Sequence, residues 1–175
     1  MEPILGQIGV FALDRYKDFL NKLDAQLEVY FKAQSEHICC KKGCSACCEK
    51  GDYPLSELEL KYLMQGFSNL DNETKVKVQK NFQSTQKGGQ CPFLINSECS
   101  IYNYRPIICR VHGLAYLCNE KLAKLPYCSN EGLNFSKVYV DNELLIEPIL
   151  ENLDTQELLK DFDYGEIRNL YDWLN

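Results

Sequence analysis

Ten cysteines in a chain of 175 residues need a chemical reason. Five fall within one decapeptide, Cys39-Cys40-Lys41-Lys42-Gly43-Cys44-Ser45-Ala46-Cys47-Cys48, and Cys91, Cys99, Cys109, Cys118 and Cys128 follow. Thiolate is a soft ligand suited to zinc, Cu(I) and iron–sulfur clusters. The spacing Cys40-x3-Cys44-x2-Cys47 lets two or three sulfurs converge on one centre, because a short loop reverses between them. Gly43 and Gly51 supply tight turns of the kind metal knuckles use. Cys47 and Cys48 are adjacent, and in extended backbone successive side chains point to opposite faces. Such a pair serves two metals, or two edges of one multinuclear cluster. The second group, Cys91-x7-Cys99-x9-Cys109, is too open to be a knuckle alone and reads as the complement of the first. Four sulfurs saturate one tetrahedral ion, so ten cysteines imply two sites or one larger cluster, with one or two thiols to spare.

Disulfides are the competing explanation. They belong to oxidising compartments and to small secreted domains that lack a sufficient core. The start, Met1-Glu2-Pro3-Ile4-Leu5-Gly6-Gln7, has no basic segment and does not read as a secretory signal. Metal ligation in the cytoplasm is therefore the expectation. Charge agrees: eight thiolates around two divalent ions leave about −4 by formal counting, and cations stand beside the ligands at Lys41, Lys42, Lys50, Arg105 and Arg110. Arg105 and Arg110 are candidates to contact the bound group, Arg110 by hydrogen bonds to sulfur or to backbone carbonyls. With 19 basic and 25 acidic residues the net charge is −6, which argues against a nucleic-acid partner. No run of about 18 apolar residues exists to cross a membrane. Hydrophobic residues at 45% and charged residues at 25% exclude a disordered chain.

The elements that must position these thiols read as mainly α-helical. Tyr16, Phe19, Leu20, Leu23, Leu27, Tyr30 and Phe31 recur at gaps of three and four, which predicts a long amphipathic helix. Ser56 and Glu59 form a capping box, so a second helix starts at Ser56, carries Leu58, Tyr62 and Leu63 inward and ends near Gly66. A polar helix follows from Asp71 to about Gln86, and Gly88-Gly89 deliver the chain to Cys91. Pro106 suits the first turn of a short helix. Val138 to Ile146 suggests two short strands around Asp141-Asn142. Thr155 to Leu174 predicts one or two helices with Leu158, Leu159, Phe162, Ile167, Leu170 and Trp173 inward. The expectation is a small helical domain of residues 1–175 with at most a short hairpin. Its metal-binding core is 38–135, and 1–37 and 136–175 flank it.

Other chemistry is thin. His112 and His37 lie near cysteines and read first as structural groups. Glu57 and Glu59 sit where a helix dipole favours carboxylates, with no catalytic role implied. Tyr102 and Tyr104 flank the second cysteine group as packing. No phosphate loop, metalloprotease helix or nucleophile elbow is present.

Taken together, Cys40…Cys44-x2-Cys47-Cys48, Cys91-Pro92-Phe93-Leu94 and Cys99-Ser100-Ile101-Tyr102-x2-Arg105-Pro106-x2-Cys109-Arg110 resemble the YkgJ-type cysteine-cluster family, the CxxCxxCC zinc- or iron-chelating domain. Val111-His112-Gly113-Leu114 and Tyr127-Cys128…Asn134-Phe135 extend the likeness, which covers about residues 38 to 135. By position the resemblance implies the ligands Cys40, Cys44, Cys47, Cys48, Cys91, Cys99, Cys109 and Cys128. Cys39 and Cys118 match no family position and are spare thiols or local variants. The resemblance leaves zinc and iron open; adjacent Cys47-Cys48 and the open second group suit a polynuclear centre, so an iron–sulfur cluster is the expectation, with zinc as the alternative. The spacing matches neither the C-x2-C-x2-C run nor the plant-type ferredoxin pattern. Three functions fit: a metal-binding protein in redox, cluster or metal handling; a metal-dependent enzyme with the centre beside a substrate pocket; or a structural zinc module that presents its helices to a protein partner.

Overall fold

The chain was analysed as a computed structural model, which describes residues 10–41, 43–118, 122–141, 143–146 and 153–174, with the side chains of residues 10, 118, 122 and 123 left out. Lys42, Asn142 and the Cys118 side chain therefore lie outside the described residues. In chain order the elements are α1 (Val10–Ala33), α2 (Ala46–Glu49), β1 (Pro54–Ser56), α3 (Glu57–Ser68), α4 (Asn72–Ser84), β2 (Leu94–Ile95), β3 (Glu98–Cys99), α5 (Ile107–Val111), β4 (Tyr116–Cys118), β5 (Leu122–Lys124), β6 (Tyr139–Val140), β7 (Glu143–Leu144), α6 (Thr155–Leu158), β8 (Ile167–Asn169) and α7 (Leu170–Leu174). The protein is mainly α-helical, and the strands form only two-stranded antiparallel pairs.

α1 forms because its apolar residues share one stripe: Tyr16, Leu20, Leu23 and Leu27 are all buried. They pack on Leu58 and Tyr62 of α3 and on Ile107 and Val111 of α5. α3 begins at the expected capping box. The Ser56 hydroxyl accepts from Glu59 N, and the Glu59 carboxylate accepts from Ser56 N at 2.8 Å. The same carboxylate reaches further and accepts from Ile107 N, the first amide of α5, at 2.9 Å. One fully buried side chain thus serves the N-termini of two helices and sets α5, which carries Cys109, against α3. Burial pushes the Glu59 carboxyl up, against the pull of those hydrogen bonds.

α3 is apolar on two sides. Leu58 and Tyr62 face α1, whereas Leu60 and Leu63 enter a second core with Leu55, Val78, Phe93, Ile101 and Leu170. α4, capped by Asp71, adds Val78 and holds the 91–95 segment through Asn81 Nδ2, which donates to Pro92 O at 3.0 Å and Leu94 O at 3.2 Å. The tight turn at Asn96 and Ser97, both at positive φ, closes β2 on β3 and pairs Cys99 with Leu94. β6 and β7 pair around Asp141 as the sequence suggested.

The C-terminal segment departs from the helical expectation. α6 and α7 are single turns, and between them β8 pairs with β1, Leu55 opposite Arg168. The cause is tertiary. The first amides of α3 have no partners within their helix. Glu57 N donates to Glu166 O and Leu58 N to Tyr164 O, which draws that stretch out of helical conformation. Leu159 and Leu170 are buried as expected, and Tyr171 joins them.

Gly66 in α3 lies under the Tyr104 ring, and a Cβ there would stand 2.5 Å from the ring carbon Cγ. Tyr104 has little room to yield, because it packs on Tyr62 at 5.1 Å between centroids and accepts a hydrogen bond from Asn69. Alanine gains about 1 kcal/mol over glycine in a helix, but overpacking costs about 1–3 kcal/mol. Gly66→Ala is expected to lower the urea midpoint despite its better helix propensity. A raised midpoint would show that Tyr104 moves aside freely.

Candidate metal centre

The first cysteine group is shaped by turns and by one asparagine. Cys44 N donates to Lys41 O, closing a turn around Gly43, and Cys39 N donates to Asn134 Oδ1 at 2.7 Å. Cys47 and Cys48 lie on α2, where Cys48 N and Glu49 N both bond Ser45 O. This differs from the extended backbone assumed for adjacent cysteines. Successive residues on a helix are separated by a fraction of a turn, not by half. Their sulfurs accordingly stand side by side, 3.9 Å apart. Two thiolates on one tetrahedral ion at about 2.3 Å each would lie about 3.8 Å apart, so the pair fits one ion as two of its ligands.

The second group is tied to the first by backbone. Cys91 N donates to Cys48 O at 2.7 Å, and the Tyr53 hydroxyl bonds Cys48 O and Gly89 O across the same junction. Cys99 arrives through the β2–β3 turn and Cys109 through α5. Cys128 is buried on the turn Tyr127–Glu131, which packs beside α2. Cys39, Cys40 and Cys44 are exposed. All nine cysteines with described side chains are free thiols.

The Cys47 thiolate disfavours ionisation of Cys40, Cys48, Cys91, Cys99, Cys109 and Cys128. Cys47 itself is lowered to about 7, chiefly by the hydrogen bond from Cys48, whose own pKa that shared proton raises. Desolvation pushes Cys91 up to about 12, Cys128 up to about 11 and Cys109 well above the ordinary thiol range. Arg105 opposes this at Cys47, Cys99 and Cys109. It is held by donation from Nε to Tyr102 O and lies over the Tyr102 ring at 3.5 Å. Among the described residues, the Arg105 guanidinium is little positive charge for so many thiols. A bound cation would supply what is missing, and an all-sulfur donor set suits zinc or iron. Among the described residues the thiols are neighbours without forming a group of three in coordination geometry.

Other residues singled out from the sequence have different surroundings. Arg110 is buried in a clamp of carbonyls, donating to Arg105 O and Asn103 O, and is paired with Asp24 of α1. It fixes the loop that carries Arg105. His37 contacts Glu36 and packs on Phe135. His112 is largely enclosed, and its Nε2 has no hydrogen-bond partner. Glu57 pairs with Lys61. Tyr104 packs on α3, and Tyr102 is exposed beneath Arg105.

Asn134 was not recognised as a functional residue from the sequence. It is 1% exposed, and besides accepting from Cys39 N it donates Nδ2 to Gly113 O and to Cys40 Sγ, the latter at 3.1 Å. Its signal in the sequence is its place in the family resemblance, Tyr127-Cys128…Asn134-Phe135, which assigned it no role.

Comparison with protein families matches residues 39–129, more than half of the chain, to the CxxCxxCC family, described as "Putative zinc- or iron-chelating domain". Searches of curated proteins and of solved structures return no match.

Gly113 marks the tightest point of the first group. Its φ is +103°, and a Cβ there would stand 2.9 Å from Cys40 Sγ and 3.0 Å from Asn134 Nδ2. Gly113→Ala is expected to cost about 1–3 kcal/mol and to displace Cys40. Urea unfolding should show the loss, and peptide mapping of metal-free protein should show faster Cys40 alkylation. If both readouts match wild type, the contact does not constrain the site.

Proposed function

The chain belongs to the CxxCxxCC zinc- or iron-chelating family, and from that premise we propose that it holds a polynuclear metal centre, in the first place an iron–sulfur cluster, through Cys40, Cys44, Cys47, Cys48, Cys91, Cys99, Cys109 and Cys128. What supports this reading is the number of thiols: ten cysteines lie within residues 39–129, more than the four that one tetrahedral ion accepts. When bound, such a group supplies one-electron redox chemistry or a store of transferable metal. The protein's part is to bring sulfurs from two sequence groups together, to offset their charge with Arg105, and to orient Cys40 through Asn134. The 3.9 Å separation of Cys47 and Cys48 favours a second reading, zinc bound by both.

Metal analysis separates the two. Protein purified without oxygen is expected to be brown and to contain iron and acid-labile sulfide. Colourless protein with stoichiometric zinc from both aerobic and anaerobic preparations selects the second reading. In either case Cys109→Ser should lower the metal content and Cys39→Ser should leave it unchanged. The reverse pattern would move the ligand set.

The segment from residue 38 to 54 has few large apolar side chains. A structural metal contributes on the order of 10 kcal/mol in small domains. Chelation should therefore expose this segment to protease while α1, with its buried stripe, persists by circular dichroism. Unchanged melting and protease resistance after metal removal would refute a structural metal.

A further inference from the structure

Cys39 and Cys40 open the first cysteine group side by side. Both are exposed, yet one buried side chain treats them differently. Asn134 Oδ1 accepts from Cys39 N at 2.7 Å, whereas Nδ2 donates to Gly113 O at 3.0 Å and to Cys40 Sγ at 3.1 Å. A backbone N–H only donates and a backbone carbonyl only accepts, so Cys39 N and Gly113 O fix which way the amide points. Turned over, it would set donor against donor and acceptor against acceptor. The group that faces the Cys40 sulfur is therefore a donor. Gly113 leaves the niche this sulfur occupies, since a Cβ there would stand 2.9 Å from it. The asparagine is itself held in place. The Ser129 hydroxyl donates to Asn134 O at 2.5 Å, and Phe135 N donates to His37 O at 2.8 Å, just before the cysteine pair. Asn134 also serves a third thiol: burial pushes Cys128 up, and a hydrogen bond from the Asn134 main chain opposes it.

We propose that Asn134 is a positioning residue of the metal centre, which makes Cys40, rather than the adjacent Cys39, the sulfur that serves it. The proposal rests on the metal reading above and states which thiol of the pair that reading uses. The bond to Cys39 N holds the main chain of the pair, and the bond to Cys40 Sγ holds one sulfur. Cys39 is engaged through its backbone and Cys40 through its side chain. The amide cannot switch between them, because its oxygen and its other hydrogen are committed to backbone groups. A hydrogen bond on a ligating group fixes its direction, and losing such a partner costs about 10- to 100-fold in metal affinity.

Asn134→Asp keeps the shape of the side chain and the acceptor for Cys39 N, and removes the donor to Cys40. In the full metal-loaded chain, competition with a chelator should show the metal held about 10- to 100-fold more weakly than in wild type. Cys40→Ser should weaken it too, and Asn134→Asp combined with Cys40→Ser should be no weaker than Cys40→Ser alone, because the amide acts through that sulfur. Cys39→Ser should change nothing, alone or added to Asn134→Asp. An asparagine that only supports the fold would give losses that add to that of Cys40→Ser. At equal metal content, the sulfur-to-metal absorption band of the iron protein, or of cobalt(II)-substituted protein if wild type holds zinc, should shift in Asn134→Asp. Additive losses or an unshifted band would overturn the proposal. If Asn134→Asp does not fold, the serine variants decide: metal loss from Cys39→Ser equal to or greater than that from Cys40→Ser overturns it. Metal-free wild type keeps the two readings apart. Peptide fragment mapping should show Cys39 alkylated ahead of Cys40, whose sulfur is engaged. A wild type that shows this lead but binds no metal leaves Asn134 as the residue that sets the pair apart and removes the metal reading. A wild type that binds metal with Cys39 and Cys40 interchangeable does the opposite.

Discussion

The backbone hydrogen bond from Cys91 N to Cys48 O joins two cysteine groups that are 43 residues apart along the chain. Much of the second core is arranged around this junction. Tyr53 donates across it from the strand side, and Tyr171 reaches it from the last helix by donating to Gln90 O. Asn81 holds the following residues from α4. These bonds run between buried or half-buried groups, where an unpaired donor or acceptor costs about 1–3 kcal/mol. The junction is therefore specified several times over. Its effect is to bring the second group of sulfurs into the field of Cys47.

Glu59 does the corresponding work for Cys109. An apolar residue at this position would leave Ser56 N and Ile107 N without their carboxylate partner. A buried carboxylate is costly, as its raised pKa records. It is kept here because it satisfies amides at the starts of two helices at once. α5 is only five residues long and has no stability of its own. It is placed by that bond and by burial of Ile107 and Val111 against α1. The Arg110 clamp then fixes the preceding loop, and with it the Arg105 guanidinium, which acts on the thiols.

What could be read from the sequence is what local rules decide. The stripe from Tyr16 to Phe31, the Ser56–Glu59 box and the strand pair around Asp141 depend on neighbours within a few residues, and each is found in place. The family was legible from the thiols because metal chemistry restricts residue type and spacing. Features set by distant partners were not. β8 exists because α3 needs carbonyl acceptors from Tyr164 and Glu166. The two arginines looked equivalent beside Cys109, yet Arg105 faces the thiols and Arg110 faces α1. Asn134 is separated by 94 residues from the cysteine it touches. Cys47 and Cys48 turned on a single local choice, a helical turn in place of an extended one, which reverses the inference about whether they can share an ion.

The thiols are also unequal in their surroundings, and the inequality follows from how each arrives. Cys91 and Cys109 come in on segments that belong to the two apolar cores, so their sulfurs are desolvated and opposed to ionisation. Cys39, Cys40 and Cys44 arrive on a turn whose main anchor is one asparagine, and they are exposed. Cys47 and Cys48 sit between, on a helix of four residues. A cation entering from solvent would meet the outer sulfurs before the inner ones, where its charge is most needed. The inner sulfurs have rigid supports because bonds from α3, α4 and the last helix converge there. The outer turn rests on a contact that a single Cβ at Gly113 would disturb. The fold thus gives the desolvated Cys91 and Cys109 several supports from distant elements, and the exposed Cys39 and Cys40 chiefly one, Asn134.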